Sequence, residues 1–269
     1  MTNDKRCILA PHCANAGGPK CNALCGAWIG IHGHDGRGGR AAAAGLPADY
    51  ARYTLANSPL SDVKVTTSQR DDGPPKTHVA SAWLGHYAKT MSRQFETEGS
   101  GESVARRIKS LYLYSAEPGT GKTTTAAALV NEYITHHYIG AIRRGLQPDE
   151  RPAYFLDVNA WQTAYNLATM TDNAAELAAV QAQMRIAAAV PFCVLDDVGV
   201  RSATESFRSM LHTIVNARMM AGLPTVYTSN VLLADLSTVF DRRLADRVRD
   251  MCVEVRFEGE SKRGLRKTA

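Results

Sequence analysis

The sequence predicts an α/β fold built on a five-stranded parallel sheet with helices on both faces. Two observations lead to this prediction: five short, apolar, β-rich runs recur along the chain, and helical patterning separates each adjacent pair. Continuous apolar strands that alternate with helices are typical of a parallel sheet that is covered on both sides. The predicted strands are 108–115, 153–158, 192–197, 224–229 and 252–257.

The composition is that of a globular protein. The chain has 269 residues, 45% of them hydrophobic, and a net charge of +5. No apolar stretch approaches the ~20 residues of a membrane span, and the N-terminus lacks the apolar core of a signal peptide. We therefore expect a cytoplasmic protein with no membrane partner. The positive charge permits contact with nucleic acid without requiring it.

The first 45 residues are predicted to form a small zinc-binding N-terminal module, and residues 46–269 a second domain. Four of the six cysteines fall in this first segment, which has little apolar periodicity. A reducing cytosol does not keep disulfides, whereas four thiolates around Zn²⁺ would supply folding energy. The candidate zinc ligands are Cys7, Cys13, Cys21 and Cys25, and a nearby histidine (His12, His32 or His34) could replace one of them.

Two segments precede the first predicted strand. Residues 66–76 have the Asp, Gly and Pro content of a linker or exposed loop. Residues 78–95 fit an amphipathic helix.

A phosphate-binding loop follows the first predicted strand. A strand that runs through a glycine-rich loop into a helix directs backbone N–H groups and the helix dipole at one point, which binds phosphate. Lys122 is predicted to contact the β- and γ-phosphates of ATP, and the Thr123 hydroxyl to bind Mg²⁺. Ala116 replaces the first glycine of the usual motif, where a small residue is sufficient. The predicted nucleotide-binding residues are Pro118, Gly119, Thr120, Gly121, Lys122, Thr123 and Thr124.

Acidic residues end the third predicted strand, where ATP hydrolysis requires them. Asp196 is predicted to hold Mg²⁺ through water, and Asp197 to orient or deprotonate the attacking water. Related ATPases often have glutamate at the second position. Because aspartate is one methylene shorter, we expect that hydrolysis could be slow.

The fourth predicted strand ends in a polar group that could sense the γ-phosphate. Asn230 is the first candidate, and Thr228 is the alternative. The helix before this strand is predicted to begin with a capping box of Ser202 and Glu205 and to stop at Gly222.

An arginine-rich helix precedes the last strand. Arg243 and Arg247 lie four residues apart and hence on one helix face. Either could reach the γ-phosphate of a neighbouring subunit, although a solvated basic face would have the same pattern. The dozen residues after the last strand are too few for a full helical lid.

Several motifs together resemble the DnaC/DnaI-type AAA+ ATPases, which load the hexameric replicative helicase onto DNA. The resemblance covers roughly residues 46–260, and the transposition ATPases of the IstB type share the same core. The DD-x-G and R-x-x-x-R motifs are more specific than the phosphate loop alone. The segments that resemble the family are LYLYSAEPGTGKTT, FCVLDDVGV, LHTIVNARM, PTVYTSN and DRRLADRVRDMCVEVRFEG.

The resemblance also implies roles for individual residues. It matches Lys122 and Thr123 to Walker A, Asp196 and Asp197 to Walker B, Asn230 to sensor 1, and Arg247, with Arg243 close by, to the arginine finger. Arg218 falls on a recurrent family arginine of unassigned role. The chain departs from the family at Ala116, and at Ala217, where an acidic residue is common.

The implied function is ATP-dependent loading of a DnaB-type helicase onto single-stranded DNA by a homo-oligomer with shared ATP sites. The DnaI-like loaders carry an N-terminal zinc domain that contacts the helicase, which favours this function over an IstB-type ATPase that binds duplex DNA and regulates a transposase. DNA contact is implied mainly by the resemblance. The basic tail 261–267 and the arginine-rich helix would support it only generically.

Overall fold

The computed structural model describes residues 7–59, 62–69, 73–95, 107–199, 204–259 and 261. Within them the strands are β1 (Lys64–Ser68), β2 (Lys76–Val79), β3 (Ser110–Tyr114), β4 (Ala153–Asp157), β5 (Phe192–Asp196), β6 (Thr225–Ser229) and β7 (Cys252–Phe257). They form one seven-stranded sheet with the order β2-β1-β7-β3-β6-β5-β4.

The five predicted strands all form, and they pair in parallel as β7-β3-β6-β5-β4. The register places Asp157 opposite Asp196 on β4 and β5, and Tyr114 opposite Ser229 on β3 and β6. All residues of β5 and β6 are buried, as expected of apolar strands that are covered on both faces. The α/β class and the parallel core are confirmed.

The predicted count of five strands is wrong, because β1 and β2 form an additional antiparallel hairpin at one edge of the sheet. β1 pairs with β7, with Val65 opposite Phe257. Residues 66–76, which the sequence predicts to be a linker or exposed loop, therefore include residues 66–68 of β1 and Lys76 of β2. Val65 is the one buried residue of β1, and the remaining strand residues are exposed or half-buried. An edge hairpin needs few apolar residues, so it lacks the pattern of the central strands.

Helices cover both faces of the sheet. Leu111 and Leu113 of β3 point into one hydrophobic cluster and Tyr112 into the other, as the alternation of a strand requires. The helices are α1 (Gly26–His32), α2 (Gly39–Ala43), α3 (Ala80–Lys89), α4 (Lys122–Arg143), α5 (Val158–Met170), α6 (Ala174–Ala189), α7 (Glu205–Met220) and α8 (Arg242–Met251). The first cluster contains residues of α3 and α4, and the second contains residues of α5 to α8.

Two predicted helices differ from the sequence expectation at their ends. The segment predicted as one helix over 78–95 begins in β2, continues as α3 and ends as a 3-10 helix at Thr90–Phe95. Thr204 caps α7 by accepting a hydrogen bond from the backbone N–H of Phe207, and Ser202 lies outside the described residues. The predicted stop of α7 at Gly222 is confirmed, with φ of +65° at this glycine.

The N-terminal segment packs against the rest of the molecule. Its apolar side chains enter the same hydrophobic cluster as β3 and α4, and the backbone N–H of Phe155 donates to Ala44 O at 2.8 Å. The division of the chain at residue 45 stays a prediction. The buried residues of the segment in this cluster are Ile8, Leu9, Ile31, Ala41 and Ala44.

Among the described residues, no helix has the length and apolar character that crossing a membrane requires.

Candidate nucleotide-binding site

The phosphate loop has the strand, loop and helix order that the sequence predicts. β3 ends at Tyr114 and α4 begins at Lys122. Gly119 and Gly121 have φ of +80° and +105°, a backbone conformation that L side chains rarely adopt. Gly121 is the N-cap of α4 and supplies no capping side chain. The loop therefore folds over the start of the helix with its first-turn N–H groups uncapped by a side chain, as an anion cradle requires.

The Lys122 side chain is buried and folds back over the loop. Its Nζ donates to the carbonyl oxygens of Ser115 and Glu117, each at 3.3 Å. These contacts hold the ammonium group above the loop, where the terminal phosphates of a nucleotide would lie. Ala116, at the first position of the phosphate-loop motif, is exposed, so its methyl group does not crowd the loop.

Asp196 joins the loop to the neighbouring strand ends. Thr123 Oγ1 lies 3.2 and 3.3 Å from the two carboxylate oxygens of Asp196, and Thr228 Oγ1 donates to Asp196 Oδ1 at 2.6 Å. Burial raises the pKa of Asp196 to about 6, although hydrogen bonds from both hydroxyls act in the opposite direction. The predicted Mg²⁺ ligands thus lie together although they are far apart in sequence.

This donor set fits magnesium. Hydroxyl and carboxylate oxygens are the ligands that a hard divalent cation prefers, and a cation would offset the cost of burying the charged Asp196. Thr123 and Asp196 would hold the ion, which would supply positive charge to stabilise the phosphate groups of a nucleotide.

Asp197 has an unusual backbone conformation for a residue other than glycine. Its φ is +60°, and its Oδ2 accepts a hydrogen bond from Asn159 Nδ2 at 2.5 Å. Its backbone N–H donates to Thr228 Oγ1 at 2.8 Å. Left-handed backbone in such residues costs about 1–3 kcal/mol and often marks functional sites. Asn159 therefore orients the Asp197 carboxylate, a contact that the sequence did not reveal because Asn159 lies on α5.

The two sensor candidates occupy different environments. Thr228 is buried and contacts both Asp196 and the backbone of Asp197. Asn230 is exposed just beyond the end of β6. The structure thus brings the alternative candidate into the acidic site, and the sensor role of Asn230 stays a prediction.

The predicted arginine fingers lie on the exposed side of α8. Arg243 and Arg247 are exposed, and Arg247 Nη1 donates to Asn216 Oδ1 of α7 at 3.1 Å. Both line an open cavity of about 320 Å³ between α7 and α8. Their roles stay predictions, and the exposure leaves both guanidinium groups accessible to another molecule.

Arg218, whose role the resemblance left open, is fully buried. Its guanidinium donates to Ala187 O at 2.8 Å, Val190 O at 2.7 Å and Pro224 O at 2.7 Å, and Nε donates to the Thr225 hydroxyl at 2.8 Å. Arg218 therefore links the end of α6 to the connection between α7 and β6. These contacts lie at the edge of the sheet where the parallel strands begin, opposite the phosphate loop. Arg218 is a structural residue here.

The structure does not support the predicted zinc site. The described residues contain no group of three or more His, Cys, Asp or Glu side chains placed to hold a metal ion. The Cys7 thiol interacts electrostatically with the other three cysteines, but the four described thiols are not grouped so as to hold one metal ion. His32 Nε2 accepts a hydrogen bond from the Ile8 backbone at 3.3 Å, and His12 and His34 are exposed. The apolar side chains of the segment pack in the main hydrophobic cluster, and this packing stabilises the segment.

The described fold is similar to that of several solved structures. It matches the crystal structure of DnaI with a TM-score of 0.51 and 19% identity, over 81% of this chain and 94% of that chain. The DnaC helicase loader matches with a TM-score of 0.47 and 19% identity, over 70% and 95%. Domain III of the Thermotoga maritima replication initiation protein DnaA matches with a TM-score of 0.47 and 17% identity, over 80% and 70%.

The comparison with DnaI shows that this chain shares the DnaI fold. No protein-family model matches the sequence, and no curated protein matches it significantly.

Proposed function

We propose that this protein is an ATP-dependent loader that places a DnaB-type hexameric replicative helicase on single-stranded DNA during replication initiation. The proposal rests mainly on one observation, that Lys122, Thr123 and Asp196 lie together beside the phosphate loop. The fold that the chain shares with DnaI supports the choice of a loader among the ATPases with such a site.

ATP would bind on residues 118–124, with Lys122 on the β- and γ-phosphates. Thr123 and Asp196 would hold Mg²⁺, which supplies electrostatic stabilisation of the phosphate charge. Asp197, oriented by Asn159, would position the attacking water and accept its proton. The short aspartate side chain places the base farther from the phosphate than a glutamate would, which would make hydrolysis slow.

The proposed active form is a homo-oligomer whose subunits share ATP sites. Arg247 would reach the γ-phosphate of an adjacent subunit, with Arg243 beside it. Their exposure on α8 supports this arrangement. An arginine finger supplied in trans contributes only after assembly, so ATP hydrolysis would depend on protein concentration.

The N-terminal 45 residues would contact the helicase, and basic side chains of the assembled ring would contact single-stranded DNA. The basic tail 261–267 lies outside the described residues, except for Ser261. Exposed arginines of α8 support a contribution from that helix.

The decisive experiment is co-purification with the host's replicative helicase in the presence and absence of ATP. We expect an ATP-sensitive complex and deposition of the helicase on single-stranded DNA, with both lost in Lys122→Ala. Arg185→Ala, on an exposed part of α6, is the matched surface control. Oligomers on duplex DNA with no helicase affinity would refute the proposal in favour of an IstB-type transposition ATPase.

A further inference from the structure

A second cavity, of about 230 Å³, lies at the far end of α4 from the phosphate loop. At 1.5 Å per residue, His136 in this cavity is about 21 Å along the helix axis from Lys122. The cavity lies between α4, the 3-10 helix Thr90–Phe95 and the N-terminal segment. Its polar lining residues are His12, Ser92, Thr135, His136, Arg143 and Arg144.

The lining is cationic. The rings of His12 and His136 lie 5.9 Å apart, and Arg144 lies over the Phe95 ring at 4.6 Å while it donates to Gly140 O at 3.1 Å. Arg143 is exposed at the rim. None of the described residues that line the cavity is acidic. Two guanidinium groups and two imidazoles are thus the ionisable groups among the described residues that line this space.

Glu132 interacts with His12 but does not belong to the lining of the cavity. One oxygen of its carboxylate accepts a hydrogen bond from the Leu55 backbone N–H at 3.0 Å. Burial and the nearby His12 both lower the pKa of His136, and a bound anion would act on this pKa in the opposite direction.

Thr135 provides an independent indication of a ligand. Its side chain is 2% exposed and lines the cavity, yet within the described part of the chain its hydroxyl has no hydrogen-bond partner. A buried hydroxyl without a partner is costly, and native proteins rarely leave one unsatisfied. An acceptor oxygen from a ligand would complete this group.

We propose that this cavity binds a phosphate group, through the guanidinium groups of Arg143 and Arg144, the imidazoles of His12 and His136, and the Thr135 hydroxyl. Phosphate presents several acceptor oxygens and carries more charge than a carboxylate, which suits a site with several donors and cations. The phosphate belongs either to a free anion or to a nucleic-acid backbone. The site is independent of the nucleotide site and of the proposed loader activity.

The test uses the full-length protein with its phosphate loop saturated by a non-hydrolysable ATP analogue, so that added phosphate reports on the second cavity. Inorganic phosphate is titrated by calorimetry into the wild type, Arg143→Gln, Thr135→Val and the control Arg185→Gln. We expect binding to weaken about tenfold in Arg143→Gln, from the loss of a charge-assisted hydrogen bond, and to remain unchanged in the control. Thr135→Val keeps the side-chain shape and should also weaken binding.

Two further probes identify the source of the phosphate. Binding of a short oligothymidylate that the same variants weaken would assign the site to nucleic acid, whereas binding of inorganic phosphate alone would assign it to a small anion. Equal phosphate affinity in the wild type and Arg143→Gln would overturn the proposal, as would a wild type that binds no phosphate or binds a polyglutamate peptide in its place. Because Arg143 is exposed, its variant decides the question even if Thr135→Val fails to fold.

Discussion

Replacement of Arg218 by methionine should destabilise the protein strongly while leaving nucleotide binding intact. The reason begins in the sequence of α6. The carbonyl of Ala187 would ordinarily accept from the N–H of the residue four positions later, but that residue is Pro191, which has no N–H. Arg218 supplies the missing donor to Ala187 O and also donates to Val190 O.

The magnitude follows from the acceptors that lose their donor. Without Arg218, Pro224 O would still accept a long hydrogen bond from the backbone N–H of Cys193 at 3.4 Å. In this network the hydrogen-bond donors to Ala187 O and Val190 O come from Arg218. Each unsatisfied buried carbonyl costs about 1–3 kcal/mol. Removal of a buried cation recovers part of its desolvation energy, so we expect a net loss of about 3 kcal/mol in the free energy of unfolding.

The measurement is chemical denaturation of wild type, Arg218→Met, Arg218→Lys and the surface control Arg185→Ala. Lysine retains the charge but lacks the planar fork that reaches several carbonyls, so it should also lose stability. ATP affinity of the folded fraction should be unchanged, because Arg218 lies at the opposite edge of the sheet from the phosphate loop. A loss below about 0.5 kcal/mol in Arg218→Met, the range of ordinary surface changes, would refute the reasoning.

Three other predictions address the site and the N-terminal segment. Thr228→Val keeps the side-chain shape but removes the hydrogen bond to Asp196. The kcat for ATP hydrolysis should therefore fall about tenfold or more, with little change in ATP affinity. An unchanged kcat would contradict this prediction. Arg247→Ala and Lys122→Ala should each abolish ATP hydrolysis, and mixing the two variants should restore part of it. In the mixture the Lys122→Ala subunit supplies the arginine finger and the Arg247→Ala subunit supplies the intact phosphate loop. No recovery of hydrolysis would exclude an arginine finger in trans. Burial lowers the pKa of His32 to about 4, so the free energy of unfolding should fall by about 3 kcal/mol in total as pH drops from about 6.5 towards 4. Denaturation measured across this pH range should show that His32→Gln removes the dependence. An identical pH profile in the wild type and His32→Gln would contradict the prediction.

Much of the architecture could be predicted because its signals are local. Five apolar runs identified the parallel strands, and the order of strand, glycine-rich loop and helix located the segment around Lys122. The β1–β2 hairpin escaped prediction because its strands lie at an edge and Val65 is the only buried residue of β1. The zinc prediction is not supported for a related reason. The spacing of the cysteines carries no information on whether packing against another segment already stabilises the N-terminal segment.

The candidate site divides in the same way. The sequence located Thr123 and Asp196 by motif, but their 3.2 Å contact depends on neighbouring elements of the folded sheet. It offered Asn230 first and Thr228 second, and the geometry of β6 puts Thr228 against the acidic residues. Asn159 carried no sequence signal, because asparagine on a helix usually has no special role.

The sequence by itself determined which segments become strands and which loop can cradle phosphate, because those properties depend on side chains a few positions apart. The tertiary structure alone decided which polar groups meet. Thr228 reaches Asp196, Asn159 reaches Asp197 and Arg218 reaches the end of α6 across gaps of roughly thirty to forty residues in the chain. The physical reason is that strand order and register set such contacts, and both are fixed by burial of the whole sheet.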